Sequence, residues 1–187
     1  MSLHKAIEVI AKLAESGIIQ HYAIAGAVAA LNYVQPTFTE DLDILVSIGH
    51  FDTRQSGLIL LTPIEGALAS MGYSERTGVS IMIEGWPVQF LPAASELDEE
   101  ALRQAVDVDV NLPDDPPLKA RCLRAEHVVA FAVKLGRLKD LARVQAFVEQ
   151  QVVDVVALKG VLERHDLIGN WRSFCMKAGI ADPLQTT

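Results

Sequence analysis

The chain is poor in the residues that build metal clusters, disulfide frameworks and membrane spans. Its only cysteines, Cys122 and Cys175, are far apart and share no metal-ligand spacing. Two distant thiols fit a reducing cytosol, where they behave as small buried hydrophobes rather than as reactive groups. The five histidines are scattered, so no zinc-type pair is present. No apolar run approaches the ~18 residues of a membrane helix, so no membrane association is expected. The N-terminus lacks a basic region ahead of an apolar stretch and does not read as a secretory signal. Repeats and low-complexity tracts are absent. These absences leave a cytoplasmic globular protein.

What is present is apolar surface. Half of the 187 residues are hydrophobic, enough for one substantial domain or a small domain with an appendage. The net charge of -8 is unevenly spread. Between Lys119 and Arg143, seven basic residues stand against Glu126 and Asp140, giving +5 locally and -13 elsewhere. A basic patch on an acidic body attracts a triphosphate or a short stretch of RNA; an ordinary solvated helix face explains the same residues without a ligand.

Hydrophobic spacing predicts a helix over 2–16, a buried strand over 22–25, an alanine-rich helix over 26–33 and a strand over 41–47. Pro36 starts a loop between the last two. Leu58–Leu61 reads as a short strand or a helix lead-in. Thr62-Pro63 opens a helix to Met71, with Thr62 as the cap. Runs 79–84 and 87–91 flank a turn containing Gly85 and predict a β-hairpin. An acidic helix follows over 95–105, then an alternating strand over 106–110. The Pro- and Asp-rich stretch 111–117 reads as a linker, which sets the expected boundary: an α/β core over 1–112, then a strand extension and helical region over 113–187. Residues 118–123 are expected to add a strand to the preceding sheet. Helices are predicted over 125–135, 137–151, 154–164 and 167–178, with a loose tail from Ala181.

One stretch carries chemistry. In Thr39-Glu40-Asp41-Leu42-Asp43-Ile44 the two aspartates are two apart in a predicted strand and so share a face. Adjacent carboxylates are relieved by solvent, a shared proton or a divalent cation. Upstream, Tyr22-Ala23-Ile24-Ala25 leads into Gly26 and a helix. A glycine there lets an anion approach free backbone N–H groups. Asp107 and Asp109 form a second Asp-x-Asp, but no glycine–helix unit precedes them and solvated strand positions account for them.

Two pieces in this order, Ala25-Gly26-Ala27 with Thr39-Glu40-Asp41-Leu42-Asp43, and Val128–Leu135 followed by Arg137-Leu138-Lys139-Asp140, resemble the nucleotidyltransferase superfamily of polymerase β-like fold. The resemblance is to the bacterial group related to AbiEii-type toxins of toxin–antitoxin systems. It implies an α+β fold, a nucleotidyltransferase-like mixed sheet flanked by helices with a C-terminal helical region. It further implies transfer of a nucleoside monophosphate from an NTP to a hydroxyl on RNA, protein or a small molecule, with Mg²⁺ or Mn²⁺. By the same resemblance Asp41 and Asp43 are catalytic and hold the metal, and Gly26 and Ala27 lie at the nucleotide phosphates. Lys134 and Arg137 clamp phosphates if helical turns persist across Gly136, and Asp140 orients those cations or accepts a proton. An antitoxin is an implied partner.

The chain departs from that pattern at three places. Ala27 stands where serine or glycine is usual, which removes a hydroxyl donor but keeps the N–H. Phe38 stands where the toxin-like group often has arginine. Gln89 stands where a third carboxylate is expected, so a neutral carbonyl replaces an anion and the attacking hydroxyl loses its base. Glu84, on the partner strand, is the available replacement. Three readings follow: an active transferase, a catalytically degenerate relative that binds nucleotide or a partner, and an unrelated α+β interaction domain.

Overall fold

The structure, a computed structural model, describes residues 2–34, 39, 41–47, 61–110 and 118–185. The expectations for Pro36, Phe38, Glu40, residues 58–60 and the 111–117 linker lie outside the described residues. The chain divides into two compact units. The first comprises Met1–Val28 and Phe38–Leu123, the second Ala29–Thr37 and Arg124–Thr187.

The first unit opens with α1 (Leu3–Glu15), capped by the Ser2 side chain, which accepts the Lys5 N–H. Its buried stripe includes Ile7, Ile10 and Leu13, each no more than 1% exposed. Each such burial stabilises the fold by about 1.5–3 kcal/mol relative to an exposed side chain. Next come β1 (His21–Ile24), α2 (Gly26–Ala30) and β2 (Leu42–Ser47), then α3 (Thr62–Ser70) and β3 (Arg76–Thr77). The unit closes with β4 (Ser80–Ile83), β5 (Trp86–Pro92), α4 (Glu96–Gln104), β6 (Val106–Val110) and β7 (Leu118–Cys122).

The seven strands form one mixed sheet in the order β3-β4-β5-β2-β1-β7-β6. β2 lies near its middle, antiparallel to β1 and parallel to β5. β1 is parallel to β7, which is antiparallel to β6. α4 packs on β1 and β2, and α1 touches β7. The acidic start of α4 is held by a capping box in which Ser95 and Asp98 bond each other's backbone N–H. The expected α+β architecture, a mixed sheet with helices and a following helical region, is therefore present.

The second unit contains α5 (Ala125–Leu135), α6 (Leu138–Glu149), α7 (Val155–Arg164) and α8 (Ile168–Ala178). α5 packs against each of the other three. Trp171 and Phe147 are fully buried, and the Tyr33 ring lies 5.9 Å from that of Phe147. Glu126, itself buried, pairs with Arg124 and accepts the Asp154 N–H at 3.2 Å, tying the start of α5 to the start of α7.

Several local expectations shift. α2 ends at Ala30 instead of Tyr33, with single turn bonds continuing to Val34. Thr62 is the first helical residue of α3, and Leu61 occupies the cap without a side-chain bond. The short β3 was not expected, because two exposed residues carry no periodicity. The tail is not loose as far as it is described. Pro183–Gln185 form a 3₁₀ turn, and the Asp182 carboxylate accepts the Trp171 Nε1–H at 2.7 Å and the Leu184 N–H at 3.0 Å.

Candidate functional site

The site begins with alternation along β2. Leu42 and Ile44 are fully buried, whereas Asp41 and Asp43 remain partly open, so both acids leave the sheet on the face opposite those two apolar side chains. Asp41 sits just before the strand. Its Oδ1 accepts a hydrogen bond from the Thr39 hydroxyl at 3.1 Å, and the same hydroxyl lies 3.1 Å from the Asp41 carbonyl. Thr39 thus orients the first carboxylate, a role its polar side chain two residues upstream hints at in the sequence.

Asp43 meets the glycine turn. The Ala25 N–H donates to the Asp43 carbonyl at 2.8 Å, which extends the β1–β2 ladder to the edge of that turn. Gly26 has φ +60, a conformation that favours glycine. A Cβ there would overlap Asp43 Oδ2 and lie 3.1 Å from its Cγ and 3.3 Å from its Cβ. The glycine is therefore required twice, by its backbone angle and by the carboxylate that fills its missing side-chain space. Gly26 and Asp43, distant in sequence, form one contact. Ala27 follows in the first turn of α2. That helix has only five residues, too few for its dipole alone to hold an anion.

On the other side of β2, the parallel register sets Gln89 beside Asp43 and Val88 beside Leu42. Val88 and Phe90 are buried, so Gln89 projects to the same face as Asp43. Glu84 does not stand there. It occupies a two-residue turn with Gly85, at φ 52 and 83, which is the type I′ hairpin geometry. Its Oε1 accepts the Tyr73 hydroxyl at 2.6 Å, and this bond, with burial, pushes the Tyr73 phenol above its ordinary value. No signal in the sequence couples Tyr73 to Glu84. No group of three or more His, Cys, Asp or Glu side chains arranged to hold a metal ion occurs among the described residues. Two carboxylates on one face still match a hard cation that completes its shell with phosphate and water.

In the second unit, Gly136 caps α5 in the left-handed conformation and α6 starts at Leu138. The two helices are separate, as predicted over 125–135 and 137–151, so the condition for Lys134 and Arg137 to share one helix face is not met. Lys134 is exposed in the last turn of α5, where a cation favours the helix C-terminus. Asp140, only 1% exposed, sits in the first turn of α6. Its Oδ2 accepts from Arg137 Nε, and its Oδ1 lies 3.3 Å from Arg137 Nη2 and 3.4 Å from Arg143 Nη1. The Arg143 side chain is 11% exposed and that of Arg137 is 54% exposed. Asp140 therefore fixes two guanidiniums, one mostly buried and one facing solvent. Arg143 was counted only as part of a basic patch, though its i,i+3 spacing from Asp140 signals the pair.

Both cysteines are buried. Burial pushes the Cys122 thiol to about 12 and the Cys175 thiol to about 11, which suits packing and not nucleophilic chemistry.

No family model and no curated protein matches the chain. Among solved structures, it is similar to the antibiotic-resistance factor ANT(2″)-Ia in solution. The TM-score is 0.46 and the identity 14%, with 90% of this chain and 95% of the other covered. A crystal structure of ANT(2″)-Ia in complex with adenylyl-2″-tobramycin gives a TM-score of 0.46 and 13% identity over 88% of this chain and 98% of the other. Among the described residues, no helix is long and apolar enough to cross a membrane.

Proposed function

We propose that the protein binds a nucleoside triphosphate together with Mg²⁺ or Mn²⁺ and transfers the nucleoside monophosphate to a hydroxyl acceptor. The observation that carries this reading is the packing of Asp43 against the Gly26 turn, with Asp41 two residues before it in the chain. Asp41 and Asp43 hold the cation, and Thr39 fixes the rotamer of Asp41. The Gly26 turn packs against Asp43, and the backbone N–H groups at Gly26 and Ala27 would meet the phosphates. When bound, the cation neutralises phosphate charge and polarises the phosphorus under attack. The acceptor oxygen bonds to the α-phosphorus as the bond to pyrophosphate breaks. The hydroxyl proton leaves to water, because the residue beside Asp43 is a glutamine and not an acid. By the nucleotidyltransferase resemblance, Lys134 and Arg137 would contact phosphate; within the second unit Asp140 pairs with Arg137 and Arg143. An RNA, protein or small-molecule acceptor, an antitoxin partner and a cytosolic setting belong to the same proposal.

A second reading is favoured by Gln89 and by the engagement of Glu84 with Tyr73: a catalytically degenerate relative that binds nucleotide or a partner without transfer. Thermal unfolding with and without Mg²⁺ and each triphosphate separates these readings from an unrelated interaction domain. Stabilisation that disappears in Asp43→Asn supports nucleotide binding. No shift with any triphosphate refutes it. Transfer of labelled nucleotide to total RNA or protein then distinguishes enzyme from relic.

A further inference from the structure

We infer that Arg143 is a positioning residue for the phosphate contact of Arg137. It neutralises the buried Asp140 carboxylate, so that Asp140 holds Arg137 without cancelling its charge toward an anion. This inference rests on the reading above that Arg137 meets phosphate. Asp140 is only 1% exposed, and its two oxygens receive two guanidiniums. Arg137 Nε donates to Oδ2, and Arg137 Nη2 lies 3.3 Å from Oδ1. The carboxylate therefore grips one edge of the planar fork and turns Nη1 away from itself. The Arg137 backbone is fixed as well, since its carbonyl accepts the Asp140 N–H at 2.9 Å and the Leu141 N–H at 3.0 Å. From the next turn of α6, Arg143 Nη1 reaches the same Oδ1 at 3.4 Å.

Charge decides what this arrangement supplies. Asp140, Arg143, Val144 and Phe147 lie on one stripe of α6, and Val144 and Phe147 are fully buried. A buried ion pair on such a stripe is a poor source of stability, because desolvation offsets the attraction. The Arg143 Nε has no hydrogen-bond partner among the described residues, which adds to that cost. What the pair provides is a surplus. Two guanidiniums against one carboxylate leave these three groups with a net positive charge. The Arg143 side chain is 11% exposed and that of Arg137 is 54% exposed, so the surplus lies at Arg137. Without Arg143, Asp140 and Arg137 would form a neutral pair, and an anion would gain less there whatever other groups surround it. Arg143 lies beyond the residues that carry the family resemblance; its role comes from these contacts.

The probe is inorganic tripolyphosphate with Mn²⁺, titrated calorimetrically into the full chain, with circular dichroism checking the fold of each variant. Arg137→Ala should weaken binding about tenfold, the loss of one charge-assisted contact. Arg143→Gln keeps a donor for Asp140 but removes the charge, and should weaken binding nearly as much. Arg143→Lys should bind like wild type. Adding Asp140→Asn to Arg143→Gln removes the charge that cancels Arg137, so the double variant should bind more tightly than Arg143→Gln alone. A purely structural role for Arg143 gives no such recovery. If Arg143→Gln does not fold, Arg143→Met with and without Asp140→Asn makes the same comparison, and the double variant strands no buried charge. Equal affinity in wild type and Arg143→Gln, or no recovery in the double variant, overturns the role of Arg143, as does unchanged binding in Arg137→Ala. In each of those cases, binding that is still lost in Asp43→Asn leaves the nucleotide reading standing. No binding by wild type overturns the nucleotide reading and this inference with it.

Discussion

Replacing Gly26 with alanine tests the central contact of the site by stability alone. Two costs are expected, and they are separable. Holding alanine at φ +60 costs about 1–2 kcal/mol, the penalty of a left-handed backbone with a Cβ. The new Cβ also overlaps Asp43 Oδ2 and crowds its Cγ at 3.1 Å. Asp43 is short and anchored in β2, so it must turn off its rotamer, which adds about 0.5–1.5 kcal/mol. The sum is about 1.5–3.5 kcal/mol, or a fall in Tm of about 3–14 °C for a chain of this length. Gly78→Ala is the matched control. Gly78 has the same φ of +60, and nothing lies within 4 Å of where its Cβ would be. Urea unfolding of both variants, monitored by circular dichroism, should show Gly26→Ala as the more costly by the rotamer difference. In an Asp43→Ala background that excess should vanish, because the obstructing carboxylate is gone. If Gly26→Ala costs no more than Gly78→Ala, or if the excess survives removal of Asp43, the glycine and the carboxylate do not share that space and the proposed convergence fails.

Two further outcomes follow from the second unit. Asp140→Ala should destabilise the protein by about 3–5 kcal/mol, since it strands the mostly buried Arg143 guanidinium without its partner. Asp140→Asn, which keeps the shape and one acceptor, should cost less in the same urea titration. Asp182→Ala should cost about 1–3 kcal/mol at neutral pH, because the indole N–H of fully buried Trp171 loses its acceptor. Burial opposes ionisation of Asp182, but the bonds from Trp171, the Leu184 N–H and Gln185 outweigh it and hold the carboxyl below its ordinary value. The folded state therefore binds fewer protons than the unfolded one near that value. The stabilisation is complete above the unfolded carboxyl's ~3.9 and is lost as pH falls through the lower folded value. The Tm gap between wild type and Asp182→Ala should close over that acid window; a gap independent of pH would refute the assignment.

Local pattern made much of this architecture legible. Periodicity located all four helices of the second unit to within a few residues, β-branched composition located β2, the Gly85 turn located the hairpin strands, and alternation located β6. The Asp-x-Asp spacing correctly put two acids on one face, since that depends only on the strand repeat. What could not be read was anything set by pairing between distant segments. Gln89 was singled out only through the resemblance, since its place beside Asp43 depends on the β2–β5 register, and the contact of Gly26 with Asp43 depends on how β1 meets β2. The capture of Glu84 by Tyr73 is a contact between a loop and a turn with no sequence periodicity. The break at Gly136 was legible: separate helices are predicted on either side of it, and the glycine takes the left-handed cap that ends the first.

The placement of β7 has a consequence for synthesis. β1 leaves the ribosome well before residues 118–122, which form the neighbour that covers one of its two edges. Until then a nascent chain presents a bare backbone edge alongside buried-type residues such as Ala23 and Ile24, the kind of surface that draws chaperones or other unfinished chains. Translation must therefore run well past the two aspartates before the strand that leads into their glycine turn is sheltered on both sides.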